Sequence, residues 1–381
     1  MPRNFLTERF TFGISIDDSW TFAGFPAPKS IIIPHLLSVN LPRGPLKIPL
    51  VKEIESALSF RDRKEKDKSS KELSAPELCK AVANRLKAAG VQFVRCWFQW
   101  NLFEPSVKTR EEKEEDEEHE IEESLKFPLD NFVNAMKAES IEILGVVGNG
   151  YARFLPEGLN TDDPDQYLRR LEISTKQILR HYKDSVSTWQ IENEPNWWEE
   201  HFAVGWRKGG IWFKPEIREA ILKTLQGTVR AECPNATLVI NLEVDRRNVD
   251  WKAWTRYCDV LGLDFYPNYS HADPVDASML KICSEARSEA GIPVFVSETG
   301  YPSGPSIMGY NEKNQAQYIK DACELSFASD SINAISVWRY QDTYWRSFPD
   351  QENHFGLITE DGREKEAWSE YANQIALHSH E

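Results

Sequence analysis

The sequence lacks the features that mark membrane, metal-dependent and nucleotide-binding proteins. None of its windows holds 18 uninterrupted apolar residues, the length that a membrane-crossing helix requires. Its eight histidines include no His-x-x-x-His pair, and its six cysteines show no zinc-ligand spacing. No Gly-rich phosphate loop follows a predicted strand. We therefore expect no membrane contact, no metal ion and no cofactor.

An excess of basic residues is also lacking. Asp and Glu number 60 against 45 Lys and Arg, and the formal net charge is -15. This balance argues against nucleic acid as a partner. The first nine residues contain no long apolar run, so they predict neither a signal peptide nor an anchor, and we expect a cytoplasmic protein. Cys96 and Cys258 fall in or beside apolar segments, which predicts buried thiols rather than a disulfide framework.

The sequence does contain a regular alternation of strand-like and helix-like segments over its 381 residues. Such alternation is typical of parallel βα units. The pattern predicts a (β/α)8 TIM barrel in a single catalytic domain, residues 1–381. The eight predicted strands are Phe10–Ile16, Val91–Trp97, Ile141–Val147, Val186–Ile191, Thr237–Leu242, Asp259–Phe265, Ile292–Ser297 and Ala334–Trp338.

Two stretches interrupt this alternation. Residues 17–73 lie between the first strand and its helix and are too long for an ordinary βα loop. We expect them to form a lid or a wall over the catalytic face, or else a packing element. Residues 104–126 follow the second strand and include ten acidic residues between positions 110 and 123. A block of like charge usually stays solvated, so an acidic surface loop is expected there rather than a binding site.

Two glutamates at predicted strand ends are the most informative residues of the chain. Glu194 lies in the segment WQIENEPNW at residues 189–197, and Glu298 lies in PVFVSETGYP at residues 293–302. Two carboxylates that converge across a cleft are the minimum equipment for breaking a glycosidic bond. One must keep a proton for the leaving oxygen while the other stays ionised. We assign Glu194 as the acid and Glu298 as the nucleophile.

Three further residues are predicted to support this pair. The Asn193 side chain can hydrogen-bond the 2-hydroxyl of a sugar. The Tyr266 hydroxyl can donate a hydrogen bond to Glu298 and keep it ionised, and Arg95 can do the same by its charge. Other interpretations stay open, because Arg95 could pair with a different acid in the barrel and Tyr266 could be a packed aromatic residue.

These residues together resemble clan A of the glycoside hydrolases, the retaining (β/α)8 superfamily. That clan has Asn-Glu after strand four, Glu on strand seven, Arg on strand two, Tyr on strand six and an aromatic residue on strand eight. The matching positions are Asn193, Glu194, Glu298, Arg95, Tyr266 and Trp338. The segment around Glu298 is similar to family 17, whereas Glu192-Asn193-Glu194-Pro195 is closer to families 5 and 39, so no family is assigned. The resemblance implies cleavage of β-linked sugars with retention.

Several residues are candidates for contact with the sugar. Trp338 is expected to form the floor of the subsite that holds the cleaved sugar. The other candidates follow strands, and for each of them a structural role is an open alternative: Trp97, Trp197, Asn149, Tyr151 and Asp18. Glu192 is a competing candidate for the acid, because strand alternation places it on the same side as Glu194.

The sequence thus predicts a retaining β-glycoside hydrolase with a carbohydrate substrate, and it does not distinguish gluco, galacto or manno configuration. A transglycosylase that uses the same two glutamates and an inactive carbohydrate-binding barrel are the alternatives. Retention predicts that the two carboxyl groups lie about 5–5.5 Å apart, whereas inversion would need roughly 6.5–9.5 Å. Endo or exo action and the oligomeric state stay open.

Overall fold

The protein folds as a closed barrel of eight parallel strands in chain order, which confirms the predicted fold class. The computed structural model describes residues 4–7, 10–16, 74–107, 125–148, 155–197, 215–244, 249–266, 278–343 and 351–378. The strands are β1 (Thr11–Ile16), β2 (Phe93–Trp97), β3 (Glu142–Val147), β4 (Thr188–Ile191), β5 (Thr237–Glu243), β6 (Val260–Phe265), β7 (Val294–Thr299) and β8 (Ala334–Val337). Nearly every residue in them is buried, as parallel strands covered on both faces require.

Helices connect successive strands and cover the outside of the barrel. They are α1 (Ala75–Ala88), α2 (Trp100–Phe103), α3 (Asp130–Ala138), α4 (Pro164–Tyr182), α5 (Pro215–Glu232), α6 (Trp251–Trp254), α7 (Ser278–Ala290), α8 (Glu312–Phe327) and α9 (Glu366–His378). None of the helices described in these ranges combines the length and the apolarity that crossing a bilayer requires.

Local sequence signals explain where two of these helices begin. Ser74 precedes α1, and both its backbone N–H and its hydroxyl donate to the Glu77 carboxylate, at 2.9 and 2.7 Å. Asp163 precedes α4 and accepts from the backbone N–H groups of Asp165 and Gln166, each at 3.1 Å. These bonds satisfy backbone donors that the first turn of a helix leaves unpaired.

The core has two parts. The larger lies between the barrel wall and the helices, and all six cysteines are buried as free thiols, as predicted for Cys96 and Cys258. The smaller part fills the amino-terminal end of the barrel interior, where Leu6 packs beneath the strands. Its other members come from six strands: Phe93, Leu144, Val239, Val260, Phe295 and Ala334. Asn4 fastens this segment by donating to the hydroxyls of Thr188 and Thr237.

The two predicted interruptions fall mostly outside the described residues. This is true of all of residues 17–73 and of residues 108–124, so the lid and the acidic loop stay predictions. The edges of the predicted acidic loop, residues 104–107 and 125–126, are described, and Glu104 is the acidic residue among them. Glu104 is fully buried and pairs with Arg170, and it also accepts hydrogen bonds from Trp100 and Ser174. Glu104 is therefore a paired core residue and is not part of a solvated surface.

Candidate active site

The carboxyl-terminal end of the barrel brings together polar residues that lie on or directly after four strands. Arg95 lies on β2, Asn193 and Glu194 follow β4, Tyr266 follows β6, and Glu298 lies on β7. In parallel barrels this face carries the active site, because all the βα loops meet there. The two glutamates and the three residues predicted to support them thus meet at one place.

Glu298 is held by a cation and a phenol. Arg95 Nη1 lies 2.6 Å from Glu298 Oε1, and the Tyr266 hydroxyl donates to Glu298 Oε2 at 2.8 Å. Burial, followed by the charge of Glu298, raises the pKa of Tyr266 well above its ordinary value, so the phenol keeps its proton and remains a donor. Both contacts favour the ionised form of Glu298.

Glu194 has the opposite surroundings. It is 8 % exposed, and the groups that act on it most strongly are other carboxylates. Burial raises the pKa of Glu194 well above its ordinary range, and the charges of Asp264, Glu298 and Glu243 raise it further. A buried carboxyl group among negative neighbours stays protonated to higher pH. The two glutamates therefore differ in the way that an acid and an ionised partner must differ.

A third carboxylate, Asp264 on β6, completes the cluster. One oxygen from each of Glu194, Asp264 and Glu298 lies within 4.8 Å of the others. Asp264 is fully buried and accepts from Asn241 Nδ2 and from the Ser297 hydroxyl, each at 2.5 Å. Burial and the charge of Glu298 raise the pKa of Asp264 well above its ordinary value. Three carboxylates beside one guanidinium favour retention of at least one proton.

These three carboxylates could also supply oxygen ligands to a metal ion. Each of them, however, has a protein partner in place, since Arg95 contacts Glu298 and amide or hydroxyl donors contact Asp264. A divalent cation would have to compete with the fixed charge of Arg95. The donor set fits a shared proton better than it fits a cation.

Side-chain amides connect the cluster to the barrel wall. Arg95 donates to Gln190 Oε1 and to Asn193 Oδ1, both at 2.7 Å. Asn241 on β5 donates to Asn193 Oδ1 and accepts from Gln190 Nε2, also at 2.7 Å. Because its oxygen is held by these donors, the Asn193 amide nitrogen lies 3.3 Å from Glu194 Oε2. The network thus orients the Asn193 amide so that its nitrogen, rather than its oxygen, faces Glu194.

The turn after β4 is strained. Glu192 and Glu194 have φ values of 57° and 44°, the left-handed region that non-glycine residues rarely adopt. Such residues cost of order 1–3 kcal/mol each and persist where the surroundings fix them. Here Gln190 Nε2 donates to the Glu192 carbonyl at 2.7 Å, and the Glu194 N–H donates to Asn241 Oδ1 at 3.0 Å.

This turn corrects the expectation for Glu192. Strand β4 ends at Ile191, so the alternation that placed Glu192 beside Glu194 does not extend to it. Its carboxylate lies against Gly148 at the end of β3 and near Leu225 of α5, outside the barrel interior. Glu192 is therefore not a competitor for the acid role.

A β-bulge in β7 sets the direction of Glu298. Leu263 pairs with Val296, but the next residue of β6, Asp264, pairs with Glu298, so Ser297 is an extra residue. Strict alternation would turn Ser297 and Glu298 to opposite faces, whereas a bulge lets both face the same partner. The Ser297 hydroxyl and the Glu298 carboxylate both lie beside Asp264. Gly262 makes room, because a Cβ there would lie 2.5 Å from the Ser297 hydroxyl.

Trp338 follows β8 at the same end of the barrel and is half-buried. The backbone N–H of Trp338 donates to the Thr299 carbonyl at 2.8 Å, and the Trp338–Arg339 peptide bond is cis. Gly300 permits close approach of the chain, because a Cβ there would collide with the Trp338 carbonyl. The backbone of Trp338 is thus held next to β7, and the Arg339 guanidinium lies 5.6 Å from the centre of the indole.

The remaining predicted sugar contacts fare differently. Trp97 ends β2 but is only 3 % exposed, with the Arg95 guanidinium 5.3 Å from its ring, so little of its surface is left for a sugar. Trp197 ends a short 3-10 helix, and its side chain lies outside the described part of the chain. Asn149, Tyr151 and Asp18 also fall outside the described residues, and their contacts stay predictions.

Sequence reasoning missed four residues of the site: Gln190, Asn241, Asp264 and Ser297. Each is a polar residue near the carboxyl end of an otherwise apolar strand, and each is fully buried. Because a buried polar group must find a partner, such a residue indicates a polar network inside the barrel. That signal is present in the sequence and could have identified all four.

Comparison with known proteins supports the fold. No protein-family model matches the chain. The chain superposes on the GH5_18 protein from Streptomyces cattleya, solved in complex with GlcNAc, with a TM-score of 0.62 and 15 % identity, over 80 % of this chain and 76 % of that one. It also superposes on a family 39 glycoside hydrolase from Bacteroides cellulosilyticus, with a TM-score of 0.52 and 17 % identity, over 78 % and 61 % of the two chains. The chain therefore shares its barrel fold with these two glycoside hydrolases.

One curated relative is similar in sequence. Endo-1,4-beta-xylanase B of Thermotoga neapolitana is 24 % identical over 197 residues. The match covers 47 % of this chain, which spans about half the length of the xylanase, 53 %. The predicted resemblance to clan A, with members of families 5 and 39 among the structural neighbours and no family assigned, is thus confirmed at the level of the fold.

Proposed function

We propose that this protein is a retaining β-glycoside hydrolase that acts through a covalent glycosyl-enzyme. The observation that carries the proposal is the convergence of Glu194 and Glu298 with opposite surroundings. Arg95 and Tyr266 hold Glu298 in its ionised form, while burial and carboxylate neighbours keep a proton on Glu194. Glycoside hydrolysis needs one carboxyl group in each state. The barrel fold shared with glycoside hydrolases of families 5 and 39 supports the same reaction class.

The separation of the two carboxyl groups supports retention. One oxygen of Glu194 and one of Glu298 lie within 4.8 Å. Retaining enzymes place the two groups about 5–5.5 Å apart, whereas inverting enzymes need roughly 6.5–9.5 Å to admit a water molecule between sugar and base. An oxygen-to-oxygen distance this short supports the retaining arrangement, in which Glu298 attacks directly.

In the proposed reaction, Glu298 attacks the anomeric carbon while Glu194 gives its proton to the leaving oxygen. Formation of the glycosyl ester removes the charge of Glu298, which is one of the charges that hold a proton on Glu194. Glu194, now ionised, takes a proton from an incoming water molecule. That water attacks the anomeric carbon, releases Glu298 and gives a sugar of retained configuration.

The proposed substrates are β-linked glucosides, galactosides or related oligosaccharides. Trp338 is proposed as the floor of the subsite for the cleaved sugar, since an aromatic face suits the apolar face of a pyranose. The Asn193 amide nitrogen, held beside Glu194, is proposed to bind the 2-hydroxyl. Because one relative is named as an endo-1,4-beta-xylanase, β-xylosides and xylo-oligosaccharides belong in the substrate panel.

The deciding experiment is covalent trapping with 2-deoxy-2-fluoro-β-glycosyl fluorides, followed by peptide mapping. Labelling of Glu298 that is abolished in Glu298→Gln is the expected result. The matched control is Glu104→Gln, which removes another buried carboxylate outside the cluster and should still label. The same protein is assayed on a panel of nitrophenyl β-glycosides, with proton NMR of the released anomer.

The alternatives give different results in this experiment. A transglycosylase would label at Glu298 and transfer the sugar to an added acceptor in preference to water. Sugar binding without labelling and without hydrolysis of any panel member would indicate an inactive carbohydrate-binding barrel. If the first product that proton NMR detects is the anomer of inverted configuration, the double-displacement mechanism is ruled out.

A further inference from the structure

The carboxylate cluster contains one more acid than the proposed reaction requires. Glu194 and Glu298 suffice for a double displacement, yet Asp264 lies with them, within 4.8 Å and fully buried. Burying an extra carboxylate without a cation of its own is costly, because the charged form loses its hydration. Arg95 already pairs with one oxygen of Glu298, and the other oxygen of Glu298 accepts from Tyr266. Asp264 is therefore placed for a task other than neutralising Arg95.

The contacts of Asp264 define that task. Its Oδ2 accepts from Asn241 Nδ2 and its Oδ1 accepts from the Ser297 hydroxyl. Its side chain also hydrogen-bonds that of Glu194. Two carboxyl groups share a hydrogen bond only when one of them carries the proton. Asp264 already receives two donors, which stabilise its ionised form, so the proton belongs on Glu194.

We propose that Asp264 is a positioning residue for the proposed glycosidase reaction, in which it holds the acidic proton on Glu194 by accepting its hydrogen bond. The role of Asp264 in the reaction rests on the proposed function, whereas the contact between Asp264 and Glu194 does not. Asn241 adds geometric control, because its side chain touches Asp264 and also accepts from the backbone N–H of Glu194. One amide thus sets the position of both carboxyl groups.

Two other carboxylates act on Glu194, namely Glu243 at the end of β5 and Glu298. Glu298 is itself paired with Arg95 and accepts from the neutral Tyr266. Glu298 becomes an ester when the glycosyl-enzyme forms, whereas Asp264 and Glu243 do not. Asp264, which also contacts Glu194, is therefore placed to favour a proton on Glu194 in both halves of the reaction. Loss of Asp264 should lower the proton affinity of Glu194 in the free enzyme and in the intermediate.

The test is a carbon-13 NMR titration of the full-length protein labelled at its Glu side-chain carboxyl carbons. The Glu194 resonance is identified by its absence in Glu194→Gln. In Asp264→Asn, the new amide offers N–H donors to Glu194 in place of a negative charge. We expect the titration midpoint of Glu194 to fall by about one pH unit or more, the size typical of removing a like charge at this distance. The alkaline limb of kcat/KM should fall by the same amount.

Ser297→Ala is the matched control within the cluster. It removes one of the two hydrogen-bond donors from Asp264 but leaves the carboxylate and the Asn241 donor, so the Glu194 midpoint should fall by less than in Asp264→Asn. A structural role for Asp264 would instead reduce the rate in both variants and leave the midpoint and the alkaline limb unchanged. Should Asp264→Asn fail to fold, Asp264→Ser removes the same charge and serves in its place.

The outcomes separate this inference from the proposed function, because the titration needs no substrate. An unchanged Glu194 midpoint in the Asp264 variant overturns the inference even if the enzyme is an active glycosidase. A lowered midpoint together with a lowered alkaline limb supports it. A wild-type protein that neither labels with the fluoro sugars nor hydrolyses the panel overturns the proposed function, and with it the role of Asp264 in that reaction.

Discussion

The two ends of the barrel interior are equally buried and chemically opposite. At the amino-terminal end, Leu6 lies under a layer that includes Phe93, Leu144 and Phe295, and all four are fully buried. At the carboxyl-terminal end, the same strands carry Arg95, Asp264 and Glu298, which are buried to a similar degree. One end gains stability from apolar burial, about 25 cal/mol per Å². The other end crowds like charges and therefore loses stability through their repulsion.

This contrast shows how a barrel divides its tasks along the strand axis. Substitutions at the apolar end should change stability with little change in the site, and those at the polar end should do the reverse. Phe295 and Glu298 are only three residues apart on β7, yet Phe295 belongs to the apolar end of the barrel interior and Glu298 to the polar end. Four substitutions test the division, from the largest expected effect to the smallest.

Glu298→Ala should have the largest effect. It removes both the proposed nucleophile and the charge opposite Arg95, so we expect kcat to fall by on the order of 10⁴-fold or more. The measurement is steady-state hydrolysis of the best aryl β-glycoside of the panel. Partial recovery with azide, giving a glycosyl azide of inverted configuration, would identify the lost group as the nucleophile. A variant with more than a tenth of wild-type activity would contradict the assignment.

Glu194→Ala should have a smaller effect that depends on the leaving group. Loss of a general acid typically costs about 10²–10⁴-fold. We expect that loss for substrates with poor leaving groups and much less for those, such as dinitrophenyl glycosides, whose leaving groups need no proton. The measurement is kcat/KM against leaving-group pKa. Equal slowing of both kinds of substrate would argue against Glu194 as the acid.

Leu6→Ala tests the apolar end. Truncating a fully buried leucine usually costs about 2–5 kcal/mol of the free energy of unfolding, so denaturant unfolding should shift accordingly. Because Leu6 lies at the end away from the carboxylates, kcat/KM per folded molecule should stay close to wild type. The matched control is Leu377→Ala, whose side chain is 56 % exposed and whose loss should stay within about 0.5 kcal/mol. A large fall in kcat/KM for Leu6→Ala would break the division.

Glu194→Gln should give the smallest effect, a gain in stability that depends on pH. The pKa of Glu194 is raised in the folded protein, chiefly by burial and then by Asp264, so the native state binds this proton more tightly than the unfolded chain. Stability should therefore fall as pH rises above the unfolded value, about 4.3 for Glu. Gln removes this penalty. We expect Tm at pH 7 to rise on the order of a few degrees.

Calorimetry between pH 4 and pH 8 checks this expectation. The difference in Tm between Glu194→Gln and wild type should shrink towards pH 4, where the unfolded chain also holds the proton. A constant difference across the range would mean that packing, rather than the proton, accounts for the change. Lower stability of the variant at pH 7 would contradict the description of the polar end as a strained one.

The sequence was sufficient to predict the order of the strands and helices, the two glutamates of the candidate site and the residues that contact Glu298. Strand and helix periodicity predicted the barrel, and the spacing of Glu194 and Glu298 predicted their convergence, because parallel strands end at one face. Arg95 and Tyr266 followed from the same rule. Most strand boundaries differ by one or two residues, as expected where hydrogen bonding rather than composition defines an end.

The rest depended on departures from regular geometry. Alternation misplaced Glu192, because two left-handed residues end β4 early. Alternation also gives no account of Glu298, because it cannot anticipate the extra residue in β7. Asp264 is visible in the sequence as a carboxylate within an otherwise apolar strand. Its pairing with Glu298, however, depends on the same bulge. Local pattern rules assume ideal elements, and active sites are where chains leave them.

The bulge in β7 has a consequence for how relatives of this chain are aligned. Glu298 faces the cleft because one residue more than the pairing requires stands between Val296 and it. The inward direction of the acid is therefore a matter of strand length as well as of residue identity. A relative that keeps both Ser297 and the glutamate but pairs them in a regular, unbulged strand would turn the glutamate towards the barrel wall. A relative that lacks the residue at Ser297 would keep the glutamate in register with Asp264, so a gap at that position is compatible with the same inward direction.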